Sequence, residues 1–284
     1  MKLRMIEKST IQKEIQLSGI GIHSGKKVDL LLRPSSSGEI IFRRTDLNNL
    51  ELRLDPKIIE TKSSTYLVSK GCKIQTLEHF LAVLFMFGID SLIVEISGDE
   101  IPIMDGSASP FVQAILKAGI KLLSEKKKNI KILKPFIIKE KDAAVSFYPD
   151  SEFKITYSIE YDHPSIQKQK MSMSVNLKKF VTEIAPARTF GFLKDVPALR
   201  DQGLAMGGSL ENAVVLDENG VISGSLRYPD EFVRHKILDL IGDLSLLGSP
   251  LIGHFEAHKA GHMLHLKAIH FILENPEFWT YIHY

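Results

Sequence analysis

Apolar residues recur along this chain with two different periods, and the two periods predict different elements. A period of two marks Ile11 to Leu17 and Lys27 to Leu32 as strands, joined by the glycine-rich bend Ser18-Gly19-Ile20-Gly21-Ile22-His23-Ser24-Gly25. Strand patterns recur at Glu39 to Arg43, Ser64 to Val68, Ser91 to Ile96, Ile130 to Ile138, Ala143 to Phe147, Phe153 to Ile159 and Ile252 to Glu256. Three- and four-residue steps predict helices instead. Phe232, Ile237, Leu238, Leu240, Ile241, Leu244 and Leu247 follow Pro229 and two acidic residues and precede Gly248, which gives an amphipathic helix its start and stop. Leu77 to Phe87 is apolar enough for a buried helix, with Thr76 as cap and Gly88 as terminator. Pro110 opens a helix over Phe111 to Ala118, and the last runs from His262 through Leu264 and Ala268 to Phe271. Each half runs from strands into paired helices without an internal sequence repeat, and the charged run Glu125-Lys126-Lys127-Lys128-Asn129 is the expected linker between the halves.

Composition narrows the class. The 284 residues, 44% hydrophobic and 25% charged, suit a folded protein with a substantial core. A formal charge of +2 from 36 basic and 34 acidic residues gives no field that argues for nucleic acid. Cys72 is the only cysteine, so a metal would have to be held by histidine and carboxylate. The stretch Met1 to Lys8 lacks the apolar core of a signal peptide, and the longest apolar run, Phe80 to Phe87, is far short of a membrane span. A cytoplasmic monomer without a membrane anchor is expected.

Candidate chemistry sits on the predicted helices. His235 and Asp239 are four apart and share a helix face, as half of a metal site or as a surface hydrogen-bonded pair. Asp243 lies one turn further on, and Lys236 places a positive charge beside His235. Glu78 and His79 open the most apolar helix, where ionisable groups are buried and must be paired or metal-bound. His79, His235 and Asp239 give the three ligands typical of catalytic zinc, with Glu78 as general base and His262 as general acid or oxyanion partner. His262 would open a helix, whose positive end lowers an imidazole's pKa. A rival histidine face of His254, His258, His262 and His265 is discounted, because a strand and Gly261 interrupt it. His23 is either catalytic or a turn histidine satisfied by backbone, Asp105 reads as a turn or cap residue, and Gly207-Gly208-Ser209 as a turn whose N–H groups could meet an anion.

Those residues, with Thr76-Leu77-Glu78-His79, Ile101-Pro102-Ile103-Met104-Asp105-Gly106-Ser107, Ala187-Arg188-Thr189-Phe190-Gly191-Phe192, Leu226-Arg227-Tyr228, Val233-Arg234-His235-Lys236-Ile237-Leu238-Asp239 and Gly261-His262, occur in order along nearly the whole chain. In this the chain resembles the LpxC family, zinc-dependent UDP-3-O-acyl-N-acetylglucosamine deacetylases of lipid A biosynthesis. The resemblance implies an α+β fold of two domains of related topology, here 1–124 and 130–284, each with paired helices packed on a β-sheet and the active site between them. It implies Zn2+ on His79, His235 and Asp239, Glu78 as base, His262 as a protonated catalytic histidine oriented by Asp243, and Thr189 at the oxyanion. Lys236, Lys259, Ser209 and Phe190 would meet the UDP-linked acylated amino sugar. An insert of about 192–215 would line an acyl passage with Leu193, Val196, Ala205, Leu210, Ala213 and Val215, residues that would otherwise be read as ordinary core. The match departs at His265, where the family usually has asparagine, and at Ala260, where it often has serine or glycine. The alternatives are an amidase acting on another N-acetylated sugar and a non-catalytic, metal-stabilised nucleotide-sugar binding protein.

Overall fold

In the computed structural model, which describes residues 7–61, 64–69 and 71–283, two large sheets each carry helices on one face. The residues Met1 to Ile6, on which most of the reading of the N-terminus rests, lie outside that range.

The first sheet has the strand order Ile15–Ile20, Lys27–Pro34, Leu92–Ile96, Ile40–Arg44, Leu50–Arg53. Its first two strands form the expected hairpin, with Ile15 opposite Leu32 and Ile20 opposite Lys27. Along Lys27–Pro34 the buried residues Val28, Leu30 and Leu32 alternate with exposed or half-buried neighbours, so one face meets a core and the other is open to water. Helices α1 (Glu78–Phe87) and α2 (Ser109–Ala118) cover the buried face. Phe80 joins them to it, edge-on to Phe42 at 6.5 Å and to Phe111 at 5.4 Å. A three-stranded sheet of Ile59–Thr61, Thr65–Ser69 and Cys72–Ile74 is added at the side.

The second sheet has seven strands built around Leu251–His258, which pairs with Asn129–Ile132, Ala143–Tyr148 and Phe153–Tyr161. Between the sheets' helices run two short ones, α3 (Leu177–Lys179), which passes into a π-helical turn at Phe180–Ile184, and α4 (Val196–Asp201). Then come α5 (Glu231–Leu244) and α6 (His262–Glu274). A β-carbon on Gly242 of α5 would lie 2.1 Å from the carbonyl oxygen of Glu78. Only glycine permits so close an approach, and it sets the first turn of α1 against the last turn of α5.

Several expectations are corrected. Thr76 does not cap α1: it has φ +62°, its hydroxyl goes to buried Glu100 at 2.9 Å, and Leu77 holds the cap position without a side-chain bond. The strand pattern of Ile11 to Leu17 is broken, because Glu7–Ile11 turns away to pair with Ile120–Lys126. Ile130 to Ile138 divides into Asn129–Ile132 and Phe136–Glu140 around Pro135, which cannot donate to a ladder. The strand Gln167–Ser174 is polar over its first half and alternates only at Met171 and Met173, too short a pattern to predict the whole strand. The charged run at 125–129 is no loose connector. Lys127 is buried, with its ammonium on the Gly88 carbonyl and 2.7 Å from Asp90, so the chain is tied down where charge alone predicted a solvated link.

Candidate active site

His79 stands in the first turn of α1, and His235 and Asp239 stand one turn apart on α5; all three are buried. Asp239 Oδ1 lies 3.3 Å from His235 Nε2 and 3.5 Å from His79 Nε2. Among the described residues this buried oxygen has no hydrogen-bond partner. The Ala187 carbonyl, which can only accept, lies 3.1 Å from His235 Nδ1 and so fixes the proton there, turning the Nε2 lone pair toward the carboxylate. Burial outweighs the pull of Asp239 and lowers His235 to about 4, so its ring is neutral. A lone pair facing an orphaned carboxylate oxygen is repulsive unless a cation lies between them. Separations of 3.3–3.5 Å match the edge of a tetrahedron with bonds of about 2.0–2.1 Å. These three residues therefore fit a metal ion.

A second group, Asp243, His262 and His265, does not. Asp243 Oδ2 lies 2.7 Å from Nδ1 of each histidine, a hydrogen-bond distance too short for donors sharing an ion. Thr65 Oγ1 donates to the other carboxylate oxygen at 2.6 Å. Burial pushes Asp243 up, but His262 and His265 outweigh it and bring it to about 2. Burial likewise pushes His262 down, yet Asp243, with Glu78 and Asp239 behind it, raises it to about 9. The lowering expected from the helix start is thus reversed, because a carboxylate in contact acts more strongly than a helix end.

Glu78 faces this group. Its Oε2 accepts the Thr65 N–H at 3.1 Å, and burial raises its pKa against the opposing charges of His262 and His79. Lys236 Nζ sits 2.7 Å from Asp239 Oδ2; burial works against the ammonium, but Asp239 raises it above its usual value. His262 Nε2 comes within 3.9 Å of that same oxygen.

The loop that ends in Thr189 is fixed from three sides. Ala187 holds His235, the Arg188 N–H and guanidinium both bond to fully buried Glu231 of α5, and the Thr189 N–H donates to Gly106 at 2.8 Å. Arg227 bonds to Asp105 at 2.9 Å, so Asp105 is a turn residue that also joins the two halves. Phe190 walls the site, edge-on to His235 at 6.2 Å and to Phe232 at 5.0 Å.

Other sequence candidates lie further out. Lys259 is ion-paired with Glu160 at 2.9 Å and Asp142 at 3.2 Å, on a concave surface with Tyr161 and His163. His254 and His258 lie on a strand and bond to Thr156 and Ser158, so the helical histidine face does not form. The Gly207, Gly208 and Ser209 N–H groups already donate to Ile22, Ala205 and Asn212, which removes the expected backbone anion site. Ser209 itself is exposed. Leu193 and Leu210 are 48% and 52% exposed, Val196, Ala205 and Val215 are half-buried and Ala213 is buried, so most of this set is not core. The insert docks on the first hairpin through Gly207 and Met206, bringing the exposed side chain of Met206 beside that hairpin, where Ile20 is also exposed. Sequence reasoning missed Thr65, whose backbone and hydroxyl hold Glu78 and Asp243 at once; a threonine in a strand gives no signal of that.

A two-histidine, one-carboxylate donor set, a buried glutamate beside it and an imidazole kept cationic by its own carboxylate define, on an α+β frame, the class of metal-dependent hydrolytic enzymes. Comparison with known proteins gives the family. The family model described as LpxC, UDP-3-O-acyl N-acetylglycosamine deacetylase, matches residues 8–274, and the chain belongs to that family. Among its relatives are UDP-3-O-acyl-N-acetylglucosamine deacetylases of Thermodesulfovibrio yellowstonii, 49% identical over 93% of this chain and 91% of the relative, and of Saccharophagus degradans, 42% identical over 98% and 94%. That of Geotalea uraniireducens is 42% identical over 97% and 91%. Among the described residues no helix is long and apolar enough to cross a membrane.

Proposed function

We propose that this protein hydrolyses the N-acetyl group of UDP-3-O-acyl-N-acetylglucosamine, releasing acetate, the lipid A step named by its family resemblance, with zinc held by His79, His235 and Asp239. The observation that carries the reading is the orphaned Asp239 Oδ1 between two imidazole Nε2 atoms, with Glu78 and His262 buried around the same carboxylate. Zinc bound there supplies a Lewis acid toward the amide carbonyl and the attacking water. Glu78, whose proton affinity burial raises, takes a proton from that water as it adds to the carbonyl carbon. His262, kept protonated by Asp243, and Thr189 meet the charge that develops on the carbonyl oxygen. When the C–N bond breaks, the amine needs a proton, and Glu78 and His262 are the two groups placed to give it. The acyl chain runs over Leu193, Val196, Ala205, Leu210, Ala213 and Val215, and the UDP end is met by Lys259 and Ser209, with Lys236 and Phe190 nearer the sugar. In this reading 1–124 and 130–284 are two domains and the chain acts as a cytoplasmic monomer.

The test is acetate release from UDP-3-O-acyl-N-acetylglucosamine, with metal measured on the same samples, for the wild type and Glu78→Ala. The expected result is about one zinc per chain in both and a loss of at least about 100-fold in kcat for the variant. Wild-type protein that holds metal and leaves this substrate intact overturns the reading.

A further inference from the structure

One buried histidine has no part in the chemistry above. His265 lies almost one turn after His262 on α6, its side chain wholly shielded from solvent. Its Nδ1 is 2.7 Å from Asp243 Oδ2, the oxygen that also lies 2.7 Å from His262 Nδ1. Its Nε2 is 3.2 Å from the Tyr157 hydroxyl, whose single proton can go to that nitrogen or to the Ala260 carbonyl at 2.8 Å, so a neutral His265 with its proton on Nδ1 accepts from Tyr157 at its far side. Thr65 Oγ1 occupies the other oxygen of Asp243. One carboxylate oxygen thus serves two imidazoles, and the second imidazole is anchored at its far side to the sheet.

We propose that His265 is a positioning residue for the deacetylation: its Nδ1–H, given to Asp243 Oδ2, fixes the carboxylate that aims His262 at the metal ligands. The inference rests on the reading of His262 as catalytic. The terminal torsion of an aspartate is soft, so a carboxylate holding only one imidazole and one hydroxyl can swing and carry the imidazole with it. His265 removes that freedom, because it is clamped between Asp243 and Tyr157 and cannot follow such a swing. Outer partners of this kind are worth about 10- to 100-fold in activity.

The measurement compares kcat, KM and zinc content of the wild type, His265→Asn and His265→Leu. Asparagine places its Nδ2 where histidine has Nδ1, so it keeps the bond to Asp243 and gives up the one to Tyr157; leucine keeps neither. His265→Leu is expected to lose about 10- to 100-fold in kcat, with KM within about twofold and zinc still about one per chain, and His265→Asn to recover most of that loss. In proton NMR of the zinc-loaded protein, two downfield, exchange-protected imidazole N–H signals are expected from the pair on Asp243, beside that of His235 on the Ala187 carbonyl, and one of the two vanishes in His265→Asn. Folded, zinc-loaded His265→Leu with wild-type kcat, or His265→Asn no faster than it, overturns the proposal. If His265→Leu does not fold, a wild-type spectrum with one such signal, or a His265→Asn variant more than about tenfold slower than wild type, overturns it. A wild type inactive on the acylated UDP-sugar counts against the functional reading instead, and the N–H spectrum still decides whether His265 holds Asp243.

Discussion

At the scale of single residues, the site moves the titrations of Glu78 and His262 upward for different reasons. Burial raises Glu78, and Asp243 raises His262 to about 9 against the burial that would lower it. The rate should therefore rise with the ionisation of Glu78 and fall toward about pH 9, both being apparent values of a coupled group. His262→Gln should abolish the alkaline fall and lower kcat by about 100-fold, which a kcat profile from pH 5 to 10 checks. The same pair bears on stability. A folded-state pKa of about 9 against 6.5 means that the contribution is complete below pH 6.5 and lost as pH rises to about 9. Unfolding free energy of the metal-free protein should fall over that window, by on the order of 3 kcal/mol, and the fall should be absent in His262→Gln. The acid side follows Asp243, whose depressed value of about 2 keeps its contribution above pH 3.8 and loses it as pH falls through 2.

At the scale of elements, two helices from different sheets have to meet with the right faces. α1 is apolar almost all round, and α5 carries His235 and Asp239 on one stripe, but neither pattern says which helix packs against which. The contact at Gly242 decides it. Gly242→Ala would put a methyl 2.1 Å from the Glu78 carbonyl oxygen, and the helices must part. Since a displacement of about 1 Å can cost 100-fold, zinc affinity and kcat should both fall by at least about tenfold, with helix content by circular dichroism unchanged. Wild-type zinc affinity in that variant would show that α1 and α5 tolerate a wider spacing. Thr76 makes the complementary point: a residue type favoured at helix starts is used here to satisfy Glu100, because the buried carboxylate needs donors more than the helix needs a cap.

At the scale of the whole molecule, the proposed metal ligands His79, His235 and Asp239 come from both halves of the chain, so an ion on them would tie the halves together. Zinc that binds only the folded state adds RT ln(1 + [Zn]/Kd), about 2.7 kcal/mol at 100 times Kd. Chelation should lower the thermal midpoint and restored zinc should recover it. The same treatment of a His79→Ala/Asp239→Ala double variant should move the midpoint by less than about one degree, and an equal shift there would place the stabilising ion elsewhere.

Much of this was legible in the sequence, for identifiable reasons. Periodicity marked the hairpin at Ile15–Ile20 and Lys27–Pro34 and the helices α1, α2, α5 and α6, because burying one face imposes a repeat on the residues themselves. Residue chemistry singled out Glu78 and His79, since a charge at the start of an apolar helix needs a partner, and four-residue spacing joined His235 to Asp239. What the sequence could not express is any distance between elements. That Thr65 bridges Glu78 and Asp243, that Lys127 is an internal ion pair, that His262 is raised where its helix position alone would lower it, and that His265 shares an oxygen with His262 all depend on groups far apart in the chain. The sequence determined which side chains carry chemistry and which faces are buried, because those follow from local pattern. Only the tertiary structure decided their charges and partners, because electrostatics and hydrogen bonding depend on separations of a few ångströms that packing alone sets.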